Sequence, residues 1–110
     1  FQDKEQLQAF RKISDVHFNC IDRGGTFREF VPHGYSKATG IQFVLDHYNL
    51  SKEDAYAFGD SNNDLAMFEY AATKVAMGNA SPKIKELADY VTSDMFHYGI
   101  RDGLKYLKLI

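Results

Sequence analysis

The chain has 110 residues, of which 45% are hydrophobic and 25% charged, and its net charge is −2 at neutral pH. This supply of apolar side chains excludes a disordered chain, and the charge lacks the basic excess that nucleic acids and anionic membranes attract. Cys20 is the only cysteine, which excludes an intrachain disulfide, and no apolar run is long enough to span a bilayer. We therefore expect a globular cytoplasmic chain that binds neither nucleic acid nor membranes.

The first third of the chain predicts a helix followed by a hairpin. Residues 3–14 carry apolar side chains at helical spacing, and an acidic first turn suits the start of a helix. Residues 15–22 alternate as a strand with one mostly apolar face, and residues 26–31 form a second strand after a Gly-Gly turn. The Pro-His-Gly sequence at residues 32–34 ends this unit.

From residue 34 onward, short apolar strands alternate with helices. The spacing predicts helices over residues 37–48, 65–70, 81–87 and 98–109, and strands over residues 55–58, 74–77 and 89–92. Short, almost wholly apolar strands between helices favour a parallel sheet that is covered on both faces. We expect an α/β protein: a partial doubly wound, Rossmann-like sheet, preceded by the end of an α+β unit. The predicted core includes Phe18, Phe43, Phe58 and Phe68.

A polar segment follows the first of these strands. Gly59 and Asp60 end the strand, and Asn62, Asn63 and Asp64 open the next helix. Ligands of open α/β sheets bind outside the carboxyl ends of the strands. Two neighbouring carboxylates repel each other unless a cation lies beside them, and a few hard oxygen ligands suit Mg²⁺. The alternative is a turn without a ligand, because Asp, Ser and Asn also build turns and cap helices.

Lys37 lies at the start of a predicted helix, directly after the predicted N-cap Ser36. A cation at that position opposes the helix dipole at a cost of roughly 0.3–1 kcal/mol. Beside a bound phosphate, however, the lysine would neutralise charge that develops during phosphoryl transfer. A solvated surface lysine is the alternative interpretation.

Four segments together resemble the Cof-type branch of the haloacid dehalogenase-like hydrolases. They are the Gly-Tyr-Ser-Lys segment at residues 34–40, the Gly-Asp-Ser-Asn-Asn-Asp signature at 59–64, the Gly-Asn-Ala segment at 75–80, and residues 88–92. The signature is moderately specific alone and highly specific together with the other segments at these spacings. The resemblance implies that residues 34–110 are the C-terminal part of the core domain and residues 1–33 the C-terminal end of the α/β cap.

The resemblance also implies a reaction and a set of site residues. The reaction is Mg²⁺-dependent hydrolysis of a small phosphate monoester, such as a sugar phosphate, through a phospho-aspartate. Lys37 matches the lysine that contacts the transferring phosphoryl group, and Asn63 the asparagine that reaches the phosphate. Asp60 matches the acidic residue that ligates Mg²⁺, and Asp64 the second acidic residue, which supports the metal directly or through water. Asn79 matches a supporting position in a nearby loop.

One part of the family's site is missing from the sequence. The family's nucleophile lies in an Asp-x-Asp signature ahead of the cap, and this chain contains no Asp-x-Asp. Asp22 is a poor substitute because Gly24 stands where the second Asp would be needed. We therefore expect a fragment that is inactive alone, with its nucleophile outside the chain. The missing central strand would also leave a sheet edge open to self-association.

Two other functions stay open at this point. One is a non-catalytic module of the same fold that binds Mg²⁺ or phosphate or that dimerises, and the other is a sugar-phosphate mutase. Among other side chains, His33 near the end of the hairpin is a candidate substrate contact, and so are Arg23, Phe27 and Arg28 on the hairpin itself. The four histidines lack the spacing of metal ligands.

Overall fold

The computed structural model describes residues 2–110. Within that range the helices are α1 (Lys4–Ser14), α2 (Lys37–His47), α3 (Leu65–Tyr70), α4 (Pro82–Leu87) and α5 (Gly99–Tyr106). The strands are β1 (Phe18–Asp22), β2 (Arg28–Pro32), β3 (Tyr56–Gly59), β4 (Thr73–Ala76) and β5 (Tyr90–Val91). Short 3₁₀ turns lie at Lys52–Asp54, Asn62–Asp64 and Met95–His97.

The helix and hairpin predicted for the first third are confirmed, but the first strand begins later than predicted. The Asp15 N–H donates to the Arg11 carbonyl at 2.9 Å, and the His17 N–H donates to Ser14, so this segment closes α1 instead of extending β1. β1 and β2 pair antiparallel, with Phe18 opposite Pro32 and Asp22 opposite Arg28.

The second sheet is parallel and has the order β3-β4-β5. Its register joins Tyr56 to Thr73 and Val75 to Tyr90, so the carboxyl ends of all three strands lie at one edge. α3 connects β3 to β4, and α4 connects β4 to β5. The predicted α/β class with a parallel sheet is therefore confirmed, and β3 is an edge strand of this sheet within residues 2–110.

The hydrophobic core lies under α3 and α4. Phe68, Ile84 and Val75 are fully buried, and Phe58 packs against this cluster, as predicted for both phenylalanines. The core prediction for Phe43 is wrong, because its side chain is 72% exposed.

The packing of α2 explains why the core prediction for Phe43 is wrong. The helix packs mainly on α3 and buries Leu45. The part of its apolar surface that carries Phe43 is not covered in this way, and Val44 and Tyr48 are exposed as well. An apolar helix face is buried only where another element packs on it.

The two faces of the β1–β2 hairpin meet different parts of the molecule. Phe30 points toward α1, where its ring meets that of Phe10 edge-on at a centroid distance of 5.0 Å. Because side chains alternate along a strand, Ile21 and its partner Glu29 lie on the opposite face. β1 contacts the Asn62–Asp64 turn, so the hairpin lies beside the polar segment that follows β3. On the α1 side, Phe18 is 39% exposed, so its predicted core position is also wrong.

Candidate active site

The polar segment after β3 is held together by the Asp64 carboxylate. Asp64 Oδ2 accepts the N–H groups of Asp60 at 2.9 Å and Ser61 at 3.3 Å. The Ser81 N–H, at the start of α4, donates to the Asp60 carbonyl at 2.9 Å. The segment is therefore fixed both internally and to the helix that follows the neighbouring strand.

Gly59 allows this loop to close. A Cβ atom at Gly59 would lie 2.7 Å from Phe68 Cε1 and 3.0 Å from Asp64 Cβ. Those distances are too short for a side chain, so the close approach of α3 to the end of β3 requires glycine. The glycine of the Gly-Asp signature thus has a packing role that positions Asp64.

Lys37 meets Asp64 across the space between α2 and α3. The Lys37 Nζ atom donates a hydrogen bond to Asp64 Oδ1, and the Asp64 side chain is 5% exposed while that of Lys37 is 47% exposed. Burial acts to raise the pKa of Asp64, but the Lys37 hydrogen bond and the two backbone N–H donors outweigh it and lower the pKa below its ordinary value. Asp64 is therefore a carboxylate at neutral pH.

The dipole cost predicted for Lys37 is offset by this ion pair. The ammonium lies at the first turn of α2, where Ser36 forms a capping box with Thr39. A lysine there is disfavoured by the helix dipole. Its nearly buried carboxylate partner explains why the ammonium is held at the site, although the Lys37 side chain as a whole is about half exposed.

Asp60 has the opposite environment from Asp64. Its side chain is exposed at the carboxyl end of β3, and no donor within residues 2–110 contacts its carboxylate. The loop holds Asp60 by its backbone alone, through its N–H to Asp64 and its carbonyl to Ser81. Both side-chain oxygens are consequently available to a cation or to water.

The two asparagines predicted near the site have different contacts. Asn63 Oδ1 accepts a hydrogen bond from Ser61 Oγ within the loop. Asn79 Oδ1 accepts the Met95 N–H at 2.9 Å, which ties the loop after β4 to the loop after β5. The structure thus brings Lys37, Asp64 and the loop carrying Asp60 and Asn63 together, whereas Asn79 connects two neighbouring loops.

The donor set fits a magnesium ion with few protein ligands. A carboxylate offers about four lone-pair sites, and Asp64 uses three of them on Lys37 and two backbone N–H groups. Asp60 has all of its sites available. Among residues 2–110, no cluster of three or more His, Cys, Asp or Glu side chains could hold a metal by itself. Mg²⁺ commonly takes one or two carboxylates and completes its shell with water and phosphate oxygens.

The hairpin residues predicted as substrate contacts are mostly engaged elsewhere. Arg28 pairs with Asp22 at 3.0 Å and also donates to the turn carbonyls of Gly25 and Phe27. The ring nitrogens of His33 contact Asn19 Oδ1 and the Asp15 carbonyl, each at 2.9 Å. These contacts give Arg28 and His33 roles in holding the hairpin.

A cavity of about 340 Å³ lies between the hairpin and the polar segment. Lys37, Asn63 and Tyr35 line it from one side, and Ile21, Glu29 and Val31 line it from the hairpin. Sequence reasoning missed Glu29. The strand alternation places Glu29 on the same face as Ile21, but the sequence does not indicate that this face meets the site.

Comparison with known proteins identifies relatives along the whole chain. The sequence profile of the haloacid dehalogenase-like hydrolase family matches residues 1–104. YkrA of Bacillus subtilis, provisionally named a phosphatase, is 49% identical over 99% of this chain, which covers 41% of that protein. The kanosamine-6-phosphate phosphatase of Bacillus subtilis is 37% identical over 96% of this chain, which covers 41% of that protein.

Solved structures of phosphatases also match the chain over its whole length. The phosphatase BT1666 from Bacteroides thetaiotaomicron matches with a TM-score of 0.87 and 31% identity, over 100% of this chain and 40% of that chain. The subclass IIB sugar phosphatase BT4131 matches with a TM-score of 0.86 and 30% identity, over 100% of this chain and 42% of that chain. The chain therefore spans about two fifths of the length of each of these proteins.

Within residues 2–110, no helix combines the length and the apolar character that crossing a membrane requires.

Proposed function

Because the chain belongs to the haloacid dehalogenase-like hydrolases, we propose that it is the C-terminal part of a cytoplasmic, magnesium-dependent phosphatase. Its substrates are small phosphate monoesters, namely sugar phosphates or similar metabolites. Hydrolysis proceeds through a phospho-aspartate whose nucleophile lies outside this chain. Residues 34–110 belong to the core domain of this enzyme and residues 1–33 to its cap.

The observation that carries the proposal is the contact between Lys37 and Asp64. It holds an ammonium group at the carboxyl end of β3, beside the loop that presents the unpaired carboxylate of Asp60. The Lys37 ammonium can bind a phosphate directly, and the exposed oxygens of Asp60 can hold the metal ion that stabilises the phosphoryl group while it is transferred. The relatives support a phosphate monoester as substrate, since one is named for kanosamine 6-phosphate and another is a sugar phosphatase.

Two of the side chains would bind the metal ion, and two others would bind the phosphate. Asp60 and Asp64 would hold Mg²⁺, which when bound offsets the negative charge of the phosphoryl oxygens. An ammonium carries three N–H donors, and Asp64 occupies one of those of Lys37, so the others are available to phosphate. The amide nitrogen of Asn63 is a further donor, because Ser61 engages only the amide oxygen.

The test compares this chain with the longer protein that we propose contains it. Hydrolysis of an aryl phosphate is measured with and without Mg²⁺, together with Asp60→Asn and the control Glu69→Gln. Glu69 is an exposed carboxylate on α3. We expect Mg²⁺-dependent release of phosphate by the longer protein and its Glu69→Gln variant, and almost none by Asp60→Asn or by this chain alone.

Other results would favour the alternatives. Binding of Mg²⁺ without any turnover in the longer protein would support a non-catalytic module. Transfer of the phosphoryl group to a second sugar hydroxyl, without release of phosphate, would support a mutase. Turnover by this chain alone would overturn the position of the nucleophile outside it.

The proposal also covers self-association of the isolated chain. β3 is one of the two edge strands of the parallel sheet within the described residues, and its unpaired side can accept another strand. Light scattering over a range of concentrations tests this, and a monomer at all of them would contradict it.

A further inference from the structure

The cavity beside the site has a chemically asymmetric lining. At the end near the polar segment, Lys37 and Asn63 offer nitrogen donors. On the hairpin side, Ile21 and Val31 offer apolar surface, and Glu29 is the carboxylate among the described lining residues. A phosphate bound near Lys37 would therefore place the group attached to it against the hairpin.

The cross-strand register directs Glu29 to this cavity. Glu29 lies opposite Ile21 in the β1–β2 ladder, and Val31 follows two residues later on the same face. The opposite face of the hairpin packs toward α1 through Phe30. The alternation of side chains along β2 therefore places Glu29 on the face that lines the cavity and Phe30 on the face that packs toward α1.

Arg23 fixes one oxygen of Glu29. Arg23 Nη1 lies 2.6 Å from Glu29 Oε2, and both side chains are about one third exposed. Glu29 Oε1 has no hydrogen-bond partner within residues 2–110. The ion pair holds the carboxylate in one orientation and leaves an acceptor that can receive a hydrogen bond from a ligand.

We propose that Glu29, oriented by Arg23, is a specificity-determining residue that selects a leaving group rich in hydroxyl groups, as in a sugar or polyol. The proposal rests on the phosphatase function proposed above. Hydroxyl groups donate hydrogen bonds to a carboxylate, and the carbon skeleton of a sugar packs on Ile21 and Val31. A leaving group that carries its own carboxylate would be repelled by Glu29.

The size of the cavity agrees with this class of ligand. A volume of about 340 Å³ lies within the range of small-molecule sites. A site built to hydrogen-bond a substrate hydroxyl also discriminates strongly against analogues without it, since its polar groups would then be left unpaired.

The experiment uses the longer protein and measures kcat/KM for three kinds of substrate. They are hexose and pentose monophosphates, p-nitrophenyl phosphate, which has no sugar hydroxyls, and phosphoglycolate, which carries a carboxylate. Glu29→Gln keeps the volume of the side chain and removes the charge, Glu29→Ala removes the acceptor, and Glu69→Gln is the matched control. Circular dichroism establishes that each variant is folded.

The expected result is a change in selectivity. In Glu29→Ala, the ratio of kcat/KM for the best sugar phosphate to that for p-nitrophenyl phosphate should fall roughly ten- to hundredfold, mainly through KM. Glu29→Gln should give a smaller fall in that ratio, because its amide oxygen still accepts a hydrogen bond, and it should improve phosphoglycolate relative to the sugar phosphates. Glu69→Gln should leave all ratios at the wild-type value.

Two results would overturn the assignment of Glu29. One is an unchanged ratio in Glu29→Ala, and the other is an equal loss on all substrates, which would give Glu29 a purely structural role. A different result would show that the proposed phosphatase function itself is wrong. A folded wild-type protein that hydrolyses none of these esters with Mg²⁺ would overturn the phosphatase proposal and this inference together.

Discussion

The molecule consists of two regions that are packed very differently: the hairpin region (residues 2–33) and the sheet region (residues 34–110). In the hairpin region only Ser14 is buried, and its hydroxyl has no hydrogen-bond partner among the described residues. The sheet region contains the fully buried Phe68, Ile84 and Val75. A side chain in the sheet region is therefore held by its neighbours, whereas one in the hairpin region is held mainly by strand pairing and surface contacts.

In the function proposed above, this difference corresponds to two kinds of chemical task. The loop after β3 needs fixed geometry, and the buried Asp64 and the crowded Gly59 provide it. The hairpin contributes Glu29 from a half-buried strand, where a substitution alters the cavity without disturbing the core. Positions that bind and transfer phosphate require rigidity, and positions that select among substrates tolerate change.

The largest expected effect compares a phenylalanine from each region. Phe68→Ala removes a fully buried ring and should lower the free energy of unfolding by about 3–5 kcal/mol. Phe18→Ala removes a ring that is 39% exposed, and the loss should stay below about 2 kcal/mol. Urea denaturation of the 110-residue chain measures both values. Equal losses would mean that the two regions do not differ in packing.

The second prediction concerns crowding at the end of β3. In Gly59→Ala the new methyl group would meet Phe68 and Asp64, at a cost of about 1–3 kcal/mol. The control is Gly40→Ala within α2, where a Cβ atom meets nothing within 4 Å. That variant should gain about 0.5–1 kcal/mol from helix propensity. A neutral Gly59→Ala would show that tight packing does not extend to the site.

How far the sequence predicts this structure depends on whether a feature is local. The loop from Gly59 to Asp64 was predictable because the sequence itself shows the apolar strand before it and the helix after it. The exposure of Phe43 was not predictable, because it depends on which element covers α2 and not on the α2 sequence. The position of Glu29 in the cavity that Lys37 also lines was missed for the same reason, since it depends on how the hairpin packs against the sheet region.

The third prediction separates the two carboxylates of the site. Asp64→Asn loses the ion pair with Lys37 but keeps an oxygen for the backbone N–H groups, so at neutral pH the chain should lose about 1–2 kcal/mol. Asp60→Asn should leave the stability of the metal-free chain unchanged, because no protein donor contacts its carboxylate within residues 2–110. Urea denaturation without Mg²⁺ measures both.

The pH dependence sharpens this prediction. Folding lowers the pKa of Asp64, so the stabilisation from its charged form is present above its ordinary pKa of about 4 and is lost as the pH falls through the lower folded-state pKa. The difference between wild type and Asp64→Asn should therefore shrink below about pH 4. A difference that stays constant down to the acid transition would mean that the charge of Asp64 contributes nothing.

The smallest expected effect lies at the junction of the two regions. Ser36 caps α2, with the Thr39 N–H donating to its hydroxyl at 3.2 Å and its own N–H donating to Thr39 Oγ1 at 2.9 Å. Ser36→Ala should lower the free energy of unfolding by about 1 kcal/mol. Ser81→Ala is the control, because Ser81 accepts no capping hydrogen bond and α4 begins with Pro82. The loss at Ser81 should be well below that at Ser36.

Because Lys37 follows directly after Ser36, the same variant tests whether the junction also positions the site. A frayed start of α2 would let the Lys37 ammonium move away from Asp64. The Ser36→Ala variant of the longer protein should therefore lose phosphatase activity even under conditions in which it is fully folded. In Ser81→Ala the Lys37–Asp64 contact should stay intact, because the Ser81 N–H that joins the loop to α4 is a backbone group and only the 3.4 Å hydrogen bond from Ser81 Oγ to Asn62 Oδ1 is lost. If Ser36→Ala lost stability alone, Asp64 would be sufficient to hold Lys37, and the site would belong to the sheet region without help from the junction.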